Sequence, residues 1–216
     1  MKYFLLKTLY DLKSKSKILI TFLILEIVLL FWIGVMYKNG NYFLFDMMYG
    51  NCNFQDFSFL IILLKLFYIF FSLYLISFLI SKELLYSKTN IFSRISEKKW
   101  FLEKTVSVFF VLFLYRIFIA LMSIWIHLVI ENRFDFSLGL CINDIVYTLC
   151  SFLLFFCYII NKNRKFSCTY ILLLGIINIA YFLEGYTLNI IILFLVSIII
   201  WYFNLQQINL VKNCFQ

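Results

Sequence analysis

Residues 81–104 read SKELLYSKTNIFSRISEKKWFLEK. This is the only long charged segment set between two long hydrophobic runs. It carries Lys82, Lys88, Arg94, Lys98, Lys99 and Lys104, six of the nineteen Lys and Arg in the chain. The runs on either side are about 20 residues or longer, enough for a helix to cross a hydrocarbon core about 30 Å thick. A basic loop between two such runs sets how the chain is threaded, because Lys and Arg in loops stay on the cytoplasmic side.

Moving outward from this loop, apolar runs predict six spans, at about 18–37, 57–80, 105–130, 145–160, 168–183 and 188–205. Composition agrees. With 64% hydrophobic and 14% charged residues, 216 residues have too little polar surface to cover a water-soluble fold. The chain therefore reads as all-α, a polytopic membrane protein with one transmembrane domain over 1–216. The net charge of +8 does not indicate a nucleic-acid partner, because the basic residues fall in segments that alternate along the chain. The abundance of Phe, Ile, Leu, Lys and Asn suggests an AT-rich genome, hence a low-GC bacterium and its cell membrane.

Orientation follows from the loops. Lys2, Lys7, Lys13, Lys15 and Lys17 precede the first span, Lys162, Arg164 and Lys165 follow the fourth, and Lys212 lies in the tail. With 81–104 they define one basic side. The other side has Lys38 and Arg133 among Asp46, Asp56, Glu131, Asp135 and Asp144. Both termini are thus expected in the cytoplasm. Residues 2–16 read as an interfacial helix, with Leu5, Leu6, Leu9 and Leu12 on one face and Lys7, Asp11 and Lys15 on the other. Gly185 is expected to turn a hairpin between the last two spans.

Four ionisable residues fall inside spans: Glu26, Lys65, Arg116 and His127. A charge facing lipid at the bilayer centre costs about 2.5–3.5 kcal/mol or more, so these should face protein or water. At 1.5 Å per residue, Glu26 lies about 13 Å in from Lys17 and Arg116 about 18 Å in from Lys104. Lys65 lies about 12 Å below the outer edge, so all three fall near the midplane. Glu26 is expected to reach Lys65 or Arg116. An acid with such a fixed cation argues against a proton-coupled carrier. Arg116, Ala120, Ser123 and His127 form a polar and small stripe on the third span, and Ser58, Lys65 and Ser72 a similar one on the second. Such stripes mark bundle interfaces. They read as a register-fixing ion pair or as a polar path.

Catalytic and metal-binding motifs are missing. There is one His, no HExxH, no GxSxG and no GxxxxGK[ST]. The chain is not expected to be an enzyme, to hydrolyse ATP by itself or to hold a metal or cofactor. Cys150 and Cys157 read as small hydrophobes. Cys52 and Cys141, in predicted outer loops, leave a disulfide open.

Within the opening stretch, Ser96 followed by Glu97 suggests an N-cap with an acid in the first turn, so the third span should begin as a helix at about residue 97. Ile91, Phe92 and Ile95 form an apolar cluster among Lys88 and Arg94, the pattern of an anchor for a groove or of a helix lying on anionic headgroups.

Glu83 and the run Arg94-Ile-Ser-Glu-Lys-Lys-Trp-Phe-Leu-Glu-Lys104, within this topology, resemble the ABC-2 type permeases, the six-span membrane subunits of bacterial ABC exporters. In that family a Glu closes the second span, a short coupling helix follows, and an Arg-bearing turn leads to an aromatic residue and a Lys at the start of the third. The Pro and small residues usual in the family's loop are missing here, as is a large extracellular domain. The size is that of compact permeases found beside peptide or bacteriocin export and immunity ATPases. The resemblance implies a permease dimer, with a second copy or a paralogue, and two ATPase subunits that bind ATP and Mg. It implies that Glu83, Ile91, Phe92, Arg94, Ile95, Lys99, Trp100 and Lys104 couple ATP binding to motion. The cargo would be an amphipathic peptide or a lipid-like molecule. A non-transporting interaction or immunity protein and an ion-coupled secondary carrier are the other readings.

Overall fold

The computed structural model describes residues 2–36, 59–86, 96–132, 138–160, 170–176 and 189–207, and every element among them is helical. The helices are α1 (Lys2–Ser14), α2 (Ser16–Met36), α3 (Phe59–Tyr86), α4 (Glu97–Glu131), α5 (Leu138–Ile160), α6 (170–176) and α7 (Asn189–Gln207). Four of them contain segments long and apolar enough to cross a membrane: Ser16–Met36, Ile61–Ile80, Glu97–Glu131 and Cys141–Ile160. A shorter apolar stretch, Phe194–Gln206, lies in α7.

The local causes are plain. A single residue, Lys15, separates α1 from α2. Its N–H reaches the Leu12 carbonyl in a tight turn, while its own carbonyl accepts from Leu19 N–H and so starts α2. Ser96 caps α4: its extended backbone (φ −62°, ψ 143°) lets its Oγ accept from the Lys99 N–H at 3.4 Å. Glu97 then sits against the positive end of the helix dipole. At the other end Asn132 takes the left-handed conformation (φ 55°), and its N–H closes on the Leu128 carbonyl. The start of α4 at residue 97 is as the Ser96-Glu97 pair predicts.

At 35 residues, α4 is about 50 Å long, well beyond the hydrocarbon thickness of about 30 Å. Its first two turns hold Glu97, Lys98, Lys99 and Glu103, so that end is the one suited to extend past the apolar layer. The helix is also the axis of the bundle, packing against α1, α2, α3, α5 and α7. Its buried residues Phe101, Val108, Leu112, Tyr115, Ile119 and Ile126 recur every three, four or seven positions, a continuous seam. Leu30 and Ile33 of α2, Tyr68, Phe71 and Leu75 of α3, and Phe152 and Phe156 of α5 fill the same core.

Contacts fix the directions. Arg116 meets Asp144, Phe109 meets Phe152 and Phe101 meets Phe156, so α5 runs antiparallel to α4. Trp201 lies 5.6 Å from the Phe101 ring and donates to Thr105 Oγ1. The C-terminal halves of α5 and α7 therefore sit at the same end, and the chain between them must return. The helical residues 170–176 fit that return: Tyr170 bonds Asn204 near the end of α7, and Leu174 packs with Tyr147 and Leu154.

Large apolar side chains point outward along the spans, among them Ile24, Val28, Trp32, Phe70, Leu121, Trp125, Ile199 and Phe203. An apolar exterior this extensive is suited to lipid, not water. The interior is enriched instead in Ser72, Ser107, Ser123, Thr148, Ser151 and Ser197, as expected where packing rather than the hydrophobic effect joins helices.

The boundaries differ from expectation in two places. The second apolar helix continues to Tyr86 rather than stopping at residue 80. The fourth begins at Leu138, not 145, because Asp144 is satisfied inside the bundle and does not break the helix. The predicted fifth span is described only over 170–176, and Gly185 lies outside the described residues. So do Cys52 and Ser58. Cys141 is within α5 and carries a free thiol.

Candidate functional site

Polar side chains gather at three levels along α4. The first is at its charged end. Lys104 is fully buried, its Nζ 3.5 Å from Thr8 Oγ1, and Thr8 Oγ1 donates in turn to Ser107 Oγ at 3.4 Å. Thr8 and Asp11 of α1 are also buried, whereas Leu6, Leu9 and Tyr10 are exposed. The helix expected over 2–16 exists as α1, and it turns Thr8 and Asp11, with the half-buried Leu12, to the bundle while Leu6 and Leu9 face out. A polar seam is the workable choice here, since Lys104 requires oxygen partners and the leucines lose nothing by facing lipid.

The second level is the centre, about 18 Å further along α4 from Lys104. Arg116 Nη1 lies 3.1 Å from Asp144 Oδ1, with both side chains about 95% buried. The Tyr68 hydroxyl donates to Asp144 Oδ2 at 3.0 Å. The Arg116 guanidinium carbon also stands 3.5 Å above the centroid of the Tyr68 ring, a cation–π contact in a desolvated setting. One residue away on α4, the Tyr115 hydroxyl contacts both oxygens of Glu26, at 2.9 and 2.8 Å. The Tyr68 and Tyr115 rings are 5.9 Å apart, so the two groups of residues touch through aromatic faces. Lys65, buried, is three residues before Tyr68 on α3. This layer joins α2, α3, α4 and α5 and sets two acids, Glu26 and Asp144, beside the buried cation Arg116.

The third level is His127, buried, 3.9 Å from Glu131 one turn on, close to the end of α4. No group of three or more His, Cys, Asp or Glu among the described residues is placed to hold a metal ion.

The structure brings some predicted residues together and separates others. Glu26, Lys65, Arg116 and His127 are all buried. The expected partnership of Glu26 with Lys65 or Arg116 is not the one made: Arg116 is bound to Asp144, and Glu26 to Tyr115. Asp144 is the residue that sequence reasoning placed in an outer loop. The sign that could have found it is the spacing Asp144, Thr148, Ser151, a buried i, i+4, i+7 stripe on α5. Of the coupling residues, Lys99 is exposed while Trp100 and Lys104 are enclosed within the bundle. Glu83 lies in the last turns of α3. Ile91, Phe92, Arg94 and Ile95 fall outside the described residues.

Four apolar helices of spanning length, around a buried polar layer, define a helical membrane-embedded protein. No family model, curated protein or solved structure matches the chain.

Proposed function

We propose that the chain is the membrane-spanning subunit of a bacterial ABC exporter. It would work as a dimer with a second copy or a paralogue, moving an amphipathic peptide or lipid-like cargo by alternating access. ATP and Mg would be bound by two separate ATPase subunits, docked on the cytoplasmic side against residues 81–99.

The observation that carries this reading is the continuity of α4. The helix begins at the Ser96 cap, inside the charged stretch 81–104, and runs unbroken for 35 residues. Its first turns carry exposed Lys98 and Lys99. One turn further Trp100, Phe101 and Lys104 are clamped among α1, α5 and α7. The same rigid element holds the central layer through Tyr115 and Arg116. A push on the Ser96 end is thereby delivered to α2, α3 and α5 together. Ile91 and Phe92 would be the apolar anchor that receives the push, with Arg94 and Ile95 beside them. Trp100 and Lys104 would transmit it from inside the bundle without touching the partner.

The test is a mild-detergent pull-down of the tagged protein from its native membrane, with mass spectrometry of the proteins recovered. A P-loop ATPase should co-purify, and changing Ile91 and Phe92 to Asp should remove it. Failure to recover any ATPase, even after crosslinking, would replace this reading with that of a non-transporting interaction or immunity protein.

A further inference from the structure

The two central acids are not equally supplied with partners. Asp144 has a guanidinium and a phenol, one for each oxygen. Glu26, fully buried, has as its carboxyl's hydrogen-bond partner among the described residues only the Tyr115 hydroxyl, which lies at 2.9 Å from one oxygen and 2.8 Å from the other. A phenol has one proton to give. Against an ionised carboxylate that proton is shared between two acceptors, and among the described residues nothing else in contact meets the remaining charge. The neutral acid fits the same geometry completely. Its own O–H donates to the phenol oxygen while the phenol donates to the carbonyl oxygen, so two protons serve two hydrogen bonds.

We propose that Glu26 is a proton-binding site at the membrane centre, occupied in this conformation and closed by reciprocal hydrogen bonding with Tyr115. The groups facing it from the packed helices are consistent with that. From α4 come Tyr115 and Arg116, the latter acting on Glu26 electrostatically while in contact with Asp144 and the Tyr68 ring. The titratable groups of the facing stretch of α3 are engaged elsewhere: Lys65 has an interaction of its own, Tyr68 donates to Asp144, and the Tyr74 ring meets Phe22, one turn from Glu26. The charged residues of α1, Lys7, Asp11 and Lys13, belong to the level of Lys104, about 16 Å away along α4. A buried charge without a dedicated partner is costly, and taking up a proton removes the cost. The proposal does not depend on the exporter reading.

Difference infrared spectroscopy of the full chain in lipid vesicles at neutral pH tests it. The wild type should show the carbonyl stretch of an unionised carboxylic acid, shifting in heavy water, and Glu26→Gln should lack that band. A spectrum in which Glu26→Gln removes only carboxylate bands overturns the proposal. As a second measurement, dicyclohexylcarbodiimide adds across the O–H of an unionised acid in an apolar setting to give an acylisourea, which rearranges to a stable acylurea. Mass spectrometry should find the adduct on Glu26 and not on Asp144. Asp144→Asn releases Arg116 to ionise Glu26, and should lower the adduct and the infrared band at least tenfold. Equal labelling of both acids in the wild type, or labelling indifferent to Asp144→Asn, overturns the role given to Arg116.

Discussion

Asp144 and Glu26 lie at one level of the bundle, both buried, and both held by consecutive residues of the same helix, Arg116 and Tyr115. Asp144 is half of a desolvated ion pair whose second oxygen is also satisfied. Glu26 has a phenol and, among the described residues, no cation in contact. A buried acid is tolerated either by supplying its counter-charge or by removing its charge, and here one layer uses both solutions. The first ties α4 to α5 rigidly. The second ties α4 to α2 through a contact that depends on a proton.

The largest expected effect comes from breaking the ion pair. Asp144→Ala takes from Arg116 the counter-ion it contacts and leaves only Glu26, bonded elsewhere, to answer its charge; breaking a buried pair in this way typically costs about 3–5 kcal/mol. Unfolding in mixed micelles should show a loss of that size or no folded protein at all. Replacing both partners, Arg116→Met with Asp144→Leu, should recover most of the loss, because two apolar side chains of similar volume avoid both desolvation costs. A double variant as unstable as the single one would mean that the Tyr68 contacts, not the pair itself, hold the layer together.

Tyr115→Phe is the matching test on the other side. It removes the hydroxyl that donates to Glu26 while keeping the ring that packs on Phe71 at 4.9 Å. A buried polar group left unsatisfied costs about 1–3 kcal/mol. The loss should therefore be clearly smaller than for Asp144→Ala, measured in the same micelles.

The contrast between the acids also marks how far the sequence could be read. The hydropathy runs locate α2 and α7 within a few residues and find α3 and α4 but not their ends at Tyr86 and Glu97, while Ser96 with Glu97 locates the start of α4, because caps and spans are local properties. Of the stripe Arg116, Ala120, Ser123 and His127, Ala120 is half-buried and the other three are buried, in keeping with its helical spacing. The partner of Arg116 was not legible. It depends on how α4 and α5 slide past each other, and no local pattern sets that register. Asp144 is also an acid near the start of an apolar run, which in isolation reads as a loop. The same limit applies to α1, which reads as an interfacial helix without a sign of which residues meet the bundle. Only the position of Lys104 on α4 explains why Thr8 and Asp11 turn inward.

A smaller effect is expected at the helix end that the central layer depends on. Ser96→Ala removes the oxygen that accepts the Lys99 N–H, a change that costs about 1 kcal/mol at a typical N-cap. Hydrogen exchange should rise over residues 97–100 and stay unchanged at 115–116, where the helix is held by its neighbours. Exchange that rises at both places would show the cap and the central layer to be one cooperative unit, and would strengthen the case for α4 as a lever.

The smallest effect should come from Glu26→Gln. Gln has the shape of the neutral acid: its carbonyl accepts from Tyr115 and its amide can donate to the phenol oxygen. If Glu26 is normally unionised, the change replaces like with like, and the stability difference should stay below about 1 kcal/mol, within the span of one ordinary hydrogen bond. The corresponding change at the other acid, Asp144→Asn, removes a charge that Arg116 requires and should cost several times more. The two amide substitutions are chemically the same edit at the same depth, so their ratio reads out the charge state of each acid. Equal losses would place a charge on both and remove the distinction between the two sides of α4.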